Sequence, residues 1–187
     1  GRVQHRIAHA AVADAAQVAA MVAEVNRALG PVDVLINNAG SPFPQEMDAI
    51  TEADWHRVLA VNLTSVFLVT RAVLPHMRAQ HWGRIVNVSS GASRLGSPNE
   101  YVDYAASKGA LDSFTIGLAK EVAGEGIRVN AVRPGFIYTD FHALSGDPDR
   151  VSKLESAIPM ARGGRPDEVA EAIVWLLSDK ASYATGT

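Results

Sequence analysis

Apolar residues follow two different periods along this chain, and each change of period marks a new element. Apolar positions every three to four residues predict four helices, over Ala15–Leu29, Thr51–Gln80, Val102–Ala123 and Pro166–Leu177. Short segments between them that are rich in apolar residues predict strands, over Val32–Ile36, Arg84–Val88 and Ile127–Val132. Alternation of buried strands with helices is typical of a parallel sheet covered by helices, so the predicted fold class is α/β with a doubly wound sheet.

Local signals fix several helix ends. Asp14 is a helix cap, with Gln17 in the capping-box position and Gly30 as the stop. Thr51 with Asp54 begins the second helix in the same way. Its helical period predicts an inward side made of Trp55, Val58, Leu59, Leu63, Val66, Phe67, Thr70 and Leu74. The absence of repeats and of a low-complexity linker favours one domain over residues 1–187.

Composition narrows the function classes without identifying one. The 187 residues are 48% hydrophobic, and 17 basic against 20 acidic residues give a net charge of -3, so no basic excess indicates nucleic acid binding. Cysteine is absent, which excludes disulfides and thiolate nucleophiles and fits a reducing, cytoplasmic setting. The six histidines lack metal-ligand spacing, so no metal site is predicted. No uninterrupted apolar run reaches the length of about 20 residues that spans a bilayer.

Tyr104 and Lys108 form the most informative pair in the chain. They are four residues apart on a predicted helix and therefore share one face. An ammonium near a phenol favours the ionised form, so we expect Lys108 to lower the Tyr104 pKa and to make the phenol useful in proton transfer. Such a pair is weak on its own, because chance produces it often.

The segments at the predicted strand ends give the pair its weight. Asn37–Gly40 follows the first strand, Ser89-Ser90 the second and Pro134-Gly135 the third. In this order, with Tyr104 and Lys108, they resemble the short-chain dehydrogenase/reductase family over nearly the whole chain. The resemblance implies a Rossmann-like, three-layer α/β/α fold and an oxidoreductase that uses NAD or NADP to interconvert a carbonyl and a secondary alcohol.

The resemblance also implies residue roles. Catalysis is expected from Asn62, Ser90, Tyr104 and Lys108, with Ser90 and Tyr104 also binding substrate. Cofactor contacts are expected from Val12, Asn38, Ala39, Gly40, Tyr104, Lys108, Pro134, Gly135, Ile137 and Thr139. One departure concerns the adenine contact, because Ala11-Val12 stands where the family often has Asp-Val. Of the family's adenine contact, we therefore expect only the packing by Val12.

Two assignments have alternatives. Asn62 either holds a water that links Lys108 to solvent, as in the family, or makes a structural hydrogen bond at a kink in the helix. The usual serine-to-tyrosine spacing falls on Gly91, so a one-residue insertion makes Ser90 the catalytic serine, with Ser89 and Ser93 as alternatives. Tyr101 is excluded as the catalytic phenol because no cation lies four residues after it.

The ends of the chain depart from the family pattern. Gly1–Val12 corresponds to the family's third strand, the glycine-rich phosphate-binding turn is not found, and 184–187 reaches only the start of the last strand. We therefore hypothesise a fragment, incomplete at both ends, of a protein of roughly 250 residues. Gly124 and Gly126 do not replace the missing turn, because they follow a helix and precede a strand, which indicates helix termination.

Other functions remain open at this stage. A relative that epimerises or dehydrates nucleotide sugars uses the same Tyr and Lys, and an idle dinucleotide-binding or scaffold protein shares the fold. The segment from Phe141 to Met160 is expected to cover the substrate, and His142 is a weak candidate for contacting it. The resemblance implies a homodimer or homotetramer formed through Thr51–Gln80 and Val102–Ala123, with a small-molecule substrate and neither nucleic acid nor membrane as partner. The substrate cannot be read from the residues.

Overall fold

Three parallel strands form the sheet in the computed structural model of the protein, which describes residues 4–144 and 146–187. They are β1 (Val34–Asn37), β2 (Gly83–Val88) and β3 (Ile127–Val132), in the order β1-β2-β3. Their register aligns the three strands so that their carboxyl ends meet at one edge of the sheet. The predicted strands are confirmed, although β1 begins two residues later than expected and includes Asn37.

Helices connect the strands. They are α1 (Ala15–Leu29), α2 (Glu52–Leu59), α3 (Ser65–Ala79), α4 (Ala92–Leu95), α5 (Val102–Val122), α6 (Phe141–Leu144), α7 (Arg150–Leu154) and α8 (Pro166–Leu177). A π-helical turn, Ala60–Thr64, joins α2 to α3 without a break. The four long helices predicted from the apolar period are therefore confirmed, with α2, the π turn and α3 as one of them.

Alternate residues of β3 face two different layers of the fold. Ile127 and Val129 belong to the apolar core with residues of α1, α3 and α5. Arg128 faces the other way, because side chains alternate along a strand, and its guanidinium donates to the backbone oxygens of Leu176 and Ser178 at 2.7 and 2.9 Å. Helices thus cover both faces of the sheet, and the predicted three-layer α/β/α class is confirmed.

The predicted inward side of the long second helix is only partly right. Val58, Val66 and Thr70 are buried, but the side chains of Trp55 and Phe67 are 36% and 44% exposed. The π turn explains the difference, because its extra residue rotates α3 about the helix axis relative to α2. The buried face of α3 is consequently made of Ser65, Val66, Leu68, Thr70, Val73 and Met77.

By length and composition alone, the continuous helix Glu52–Ala79 could cross a membrane. Its polar side chains instead bond inside the protein. Ser65 Oγ donates to the Val61 oxygen at 2.5 Å, and Thr70 Oγ1 accepts from Asn37 Nδ2 at 3.3 Å. These bonds, together with the burial of Val73 and Met77 against the sheet, are those of a core helix.

The structure corrects two details near the start of α1. Asp14 caps the helix by accepting from Gln17 N at 2.9 Å, but the Gln17 side chain accepts from Ala11 N and does not complete the capping box. Residues 4–12 form no strand, contrary to the expectation for Gly1–Val12, because no neighbouring strand pairs with them. At the other end, Gly186 N donates to Val129 O and Ala131 N donates to Thr187 O, so the final residues run along β3.

Candidate active site

A cleft of about 870 Å³ lies where the carboxyl ends of the three strands meet. This edge is the usual ligand site of a parallel α/β sheet. The structure brings ten of the twelve predicted site residues into its lining: Asn38, Ala39, Gly40, Ser90, Tyr104, Lys108, Pro134, Gly135, Ile137 and Thr139. Segments far apart in sequence therefore share one cavity.

Val12 and Asn62 lie outside that lining. Val12 borders a smaller cavity of about 200 Å³, which shares Ile36, Asn38 and Ala39 with the main cleft. Asn62 is fully buried behind the loop that follows β1. Both residues are neighbours of the cleft. Of the two, Asn62 is hydrogen-bonded to the loop after β1, which forms one wall of the cleft.

Asn62 clamps the backbone of that wall. Its Oδ1 accepts from Ser41 N at 2.9 Å, and its Nδ2 donates to Ser41 O at 3.1 Å. A Cβ built on Gly40 would lie 3.0 Å from Asn62 Oδ1 and 3.4 Å from Lys108 Nζ. Glycine at this position therefore leaves the space in which Asn62, the loop and Lys108 approach one another.

The π turn is the local reason that Asn62 points into the protein. An asparagine is a poor residue for a regular helix interior, and π turns recur at functional sites. The Asn62 amide bonds the backbone of Ser41, in the loop after β1, and not the kinked helix itself, which differs from the structural alternative that the sequence offered.

Tyr104 lies in the first turn of α5 and is only 7% exposed. Burial raises the pKa of the Tyr104 phenol, and a side-chain hydrogen bond with Ser90 lowers it in part. Our expectation that Lys108 lowers this pKa is wrong for the structure as it stands, because burial dominates. Lys108 Nζ lies 5.7 Å from the centre of the Tyr104 ring.

Lys108 is the buried cation of the site. Its Nζ donates to Val88 O at the end of β2, at 2.8 Å. Burial lowers the pKa of Lys108 to about 8, while the Asp112 carboxylate one helical turn further opposes the shift. With this pKa, the Lys108 ammonium titrates close to cell pH. The four-residue spacing between Tyr104 and Lys108 on one helix is the one that the sequence indicated.

The three candidate serines have different partners. Ser90 borders the cleft beside the Tyr104 phenol, whose pKa it lowers in part, and its Oγ accepts from Ala92 N at 3.1 Å. Ser89 Oγ donates to Lys108 O at 3.3 Å, and Ser93 Oγ donates to Asp112 Oδ2 at 2.8 Å. Of the three, Ser90 is the one that lines the cleft and acts on the predicted catalytic phenol.

The segment after β3 closes the far wall. Gly91 N donates to Pro134 O at 2.9 Å, which ties the serine loop to Pro134-Gly135. Ile137 forms a parallel bridge with Gly164, and Thr139 Oγ1 accepts from Phe141 N at 3.4 Å. These contacts place Ile137 and Thr139, two of the predicted cofactor-binding residues, beside α6 and ahead of α8.

The sequence analysis did not predict a chain of hydrogen bonds between the buried side chains of Asn37, Asn87 and Thr115. Asn37 Nδ2 donates to Asn87 Oδ1 at 2.9 Å, and Asn87 Nδ2 donates to Thr115 Oγ1 at 2.9 Å. Asn37 and Asn87 are register partners on β1 and β2. The available signal in the sequence was an asparagine near the end of each of two successive predicted strands. This pattern indicates pairing of the two amides across the sheet rather than contact with a ligand.

His142 lies in the cleft lining, as the weak expectation allowed. Burial lowers the pKa of His142, and the nearby Arg150 charge adds to the effect. Over residues 4–144 and 146–187, no group of His, Asp and Glu side chains could hold a metal ion.

Comparison with known proteins agrees with this arrangement. The family model described as enoyl-(acyl carrier protein) reductase matches residues 1–187. The chain is 54% identical over 185 residues to the uncharacterized oxidoreductase YgfF of Escherichia coli (strain K12), covering 97% of this chain and 75% of that protein. The chain belongs to the short-chain dehydrogenase/reductase family. It is accordingly an NAD(P)-dependent oxidoreductase acting on a carbonyl and alcohol pair.

Two further relatives show how broad this family is. The chain is 45% identical over 175 residues to the 3-oxoacyl-[acyl-carrier-protein] reductase FabG of Thermotoga maritima, covering 94% of this chain and 70% of that protein. A crystal structure of a gluconate 5-dehydrogenase from Burkholderia cenocepacia J2315 in complex with NADP and tartrate superposes with a TM-score of 0.86. That protein is 37% identical, with 94% of this chain and 69% of that chain covered. The relatives' names thus include reductases of thioesters and dehydrogenases of sugar acids.

Proposed function

We propose that Tyr104, Ser90, Lys108 and Asn62 carry the acid-base steps of carbonyl reduction and its reverse. The placement of Ser90, Tyr104 and Lys108 in the lining of one cleft carries this proposal, because it brings two hydroxyls and an ammonium group together there. Ser90 would donate to the substrate carbonyl oxygen and hold it against Tyr104. Tyr104 would give its phenolic proton to that oxygen during reduction and take it back during oxidation.

Lys108 and Asn62 support the proton transfer. The Lys108 ammonium would stabilise the phenolate left on Tyr104, since opposite charges favour the ionised phenol once one forms. Asn62 would keep the loop from Asn38 to Ser41 in place and connect Lys108 to water. Proton transfer of this type contributes about 10² to 10⁴ in rate.

The residues of the cleft fit a nicotinamide dinucleotide. Gly40 leaves space at the end of β1, and Ala39 with Ile36 and Val88 offers small or apolar surface. Asn38, Ala39 and Gly40, with Val12 beside them, would hold the adenosine half. Tyr104, Lys108, Pro134, Gly135, Ile137 and Thr139 would hold the nicotinamide half. When bound, the cofactor supplies or accepts the hydride.

Titration of NADH and NADPH into the protein tests this function, with nicotinamide fluorescence as the readout. Saturable binding of either cofactor and its consumption with a carbonyl substrate are the expected results. Binding without consumption over a broad panel of ketones and alcohols would favour the idle scaffold. Turnover of a nucleotide sugar without net cofactor consumption would favour the epimerase relative.

The chain is proposed to be a single domain over 1–187 of a soluble, cytoplasmic homodimer or homotetramer. The exposed side of α5 carries the small residues Ala106, Ser113 and Gly117, and Phe67 is exposed on α3. Small exposed residues on one helix and an exposed aromatic ring on the other are suited to helix packing between copies. Sedimentation at several protein concentrations distinguishes monomer from dimer and tetramer.

A further inference from the structure

The cleft has a polar end that the catalytic residues do not use. Glu100 and Arg150 line it, together with the rings of Tyr101 and Phe136. Arg150 Nη2 donates to Glu100 Oε2 at 2.6 Å, and the guanidinium lies 5.5 Å from the centre of the Tyr101 ring. The Tyr101 ring in turn stands edge-on to the ring of Tyr104 at 5.7 Å. One aromatic ring therefore separates this ion pair from the proposed catalytic phenol.

The ion pair keeps hydrogen-bonding capacity. Arg150 Nε is buried and has no hydrogen-bond partner within residues 4–144 and 146–187. The Glu100 side chain is 40% exposed, and its pairing with Arg150 uses one of its two carboxylate oxygens. Both groups also act on the Tyr101 hydroxyl, whose pKa is raised by burial, lowered by Arg150 and raised by Glu100. Because Arg150 Nε is shielded from solvent, the exposed Glu100 carboxylate is the part of the pair that a ligand hydroxyl reaches first.

The backbone that presents Glu100 is also unusual. Ser97 and Asn99 both have positive φ angles, of 47° and 61°, in the turn that leads to Glu100 and Tyr101. Side chains other than glycine rarely adopt this conformation, and such strain concentrates at functional sites. The turn is held by Tyr101 N donating to Ser97 O at 3.2 Å and by Gln45 N donating to Glu100 O at 2.6 Å.

Three classes of substrate differ in how they would meet this end of the cleft. A long acyl chain would cover Glu100 and Arg150 without offering a hydrogen bond, which leaves both charges desolvated. An anion would be attracted by Arg150 and repelled by Glu100, and the pair has no net charge. A hydroxyl both donates and accepts, so neighbouring hydroxyls satisfy the carboxylate and the guanidinium together.

We propose that Glu100 and Arg150 bind the hydroxyls of a compact, neutral, polyhydroxylated substrate, such as a sugar or sugar alcohol, on the far side of the Tyr101 ring from the Tyr104 phenol. The inference rests on the proposed oxidoreductase function and names its substrate class. Tyr101 contributes an aromatic face beside the bound carbons, and the pair discriminates against acyl thioesters.

The test compares the protein with Arg150→Met and Glu100→Gln, and with Lys153→Met as a control on the same short helix. Lys153 is exposed and pairs with Asp147 outside the cleft. The substrates are D-glucose, D-sorbitol and D-mannitol, acetoacetyl-N-acetylcysteamine as the thioester, and cyclohexanol, which is neutral and has a single hydroxyl. Initial rates are followed by cofactor absorbance, and cofactor binding is measured separately.

We expect at least one of the three polyols or sugars to have a kcat/KM above those of the thioester and cyclohexanol. Arg150→Met and Glu100→Gln should each raise its KM by about tenfold, the effect of losing a hydrogen bond to a charged group, with kcat nearly unchanged. Cyclohexanol turnover and cofactor binding should stay the same in both variants. Lys153→Met should match the unmodified protein on every substrate.

Preference for the thioester, or a polyol KM that neither variant moves, would overturn the inference while leaving the oxidoreductase function standing. Equal losses for cyclohexanol and the polyol would also overturn it, because the pair would then only hold the loop closed. Absence of cofactor-linked turnover with every substrate would instead count against the proposed function itself. If Arg150→Met fails to fold, Glu100→Gln decides, since its amide keeps the size of the carboxylate.

Discussion

The Asp112 carboxylate accepts a hydrogen bond from Arg133 Nε at 2.8 Å, and this contact links α5, which carries Tyr104 and Lys108, to the segment that closes the cleft. Asp112 lies one turn after Lys108 on α5, and Arg133 directly precedes Pro134-Gly135. The same Oδ2 atom accepts from Ser93 Oγ at 2.8 Å. A single buried carboxylate therefore joins three of the segments that form the site.

We expect Asp112→Asn to lower the unfolding free energy by about 1 to 3 kcal/mol, because Arg133 and Ser93 would lose a charged acceptor. Burial acts to raise the pKa of Asp112, but hydrogen bonds from Arg133, Ser89 and Ser93 outweigh it and hold the pKa below its usual value. Urea unfolding measures the loss, and a double-mutant cycle with Arg133→Leu isolates the pair. An interaction free energy of zero in that cycle would contradict the link.

Tyr104→Phe should remove most turnover, by about 10² to 10⁴, because the phenol is the proposed proton donor. The ring is buried against Tyr101 and Phe141, and phenylalanine keeps those contacts. Cofactor affinity by nicotinamide fluorescence should therefore change little. Tyr101→Phe is the matched control, and it should retain proton transfer. Equal losses of kcat in both variants would be incompatible with our assignment.

Gly126→Ala should destabilise the protein by more than about 2 kcal/mol, since both the backbone and the available space exclude a side chain. Gly126 has a φ of 76°, and a Cβ there would lie 2.2 Å from His81 O. Gly124→Ala, two residues earlier, is the matched control, because its Cβ would meet nothing within 4 Å. Thermal unfolding of the two variants should differ clearly. Similar unfolding temperatures would show that the turn relaxes.

Lys108→Met should make the protein more stable near pH 7 and remove a pH dependence. The folded-state pKa of Lys108 is about 8, below its ordinary value of 10.5. Between these values the unfolded chain binds more protons than the folded chain, so stability rises with pH over this window. The rise attributable to Lys108 is on the order of 1 to 3 kcal/mol.

Urea unfolding of the unmodified protein and of Lys108→Met from pH 7 to pH 9.5 measures this difference. The gap in unfolding free energy between the two proteins should shrink as pH increases. A gap that stays constant over this range would mean that the folded-state pKa is not lowered. Loss of the bond from Nζ to Val88 O affects both ends of the range equally and does not imitate the trend.

Much of the fold was predictable because local patterns agreed with one another. The capping residue Asp14 and the stop at Gly30 determined the bounds of α1, and Pro166 marked the first turn of α8. The strand Ile127–Val132 was predicted residue by residue, since its apolar residues fill a short segment between Gly126 and Pro134. The inward side of the long second helix was partly wrong, because the period of the sequence contains no sign of the π turn at Asn62.

The sequence by itself determined the α/β class and brought Tyr104 and Lys108 forward as the proposed acid-base pair, since their four-residue spacing is a local property of a helix. The tertiary structure alone decided the protonation energetics. Burial in the assembled cleft raises the Tyr104 pKa and lowers the Lys108 pKa. The spacing had indicated the opposite for Tyr104, namely a pKa lowered by the Lys108 ammonium. Asp112 and Arg150 likewise gained their partners from segments distant in sequence. Desolvation and long-range pairing depend on the whole packed chain, so no local pattern contains them.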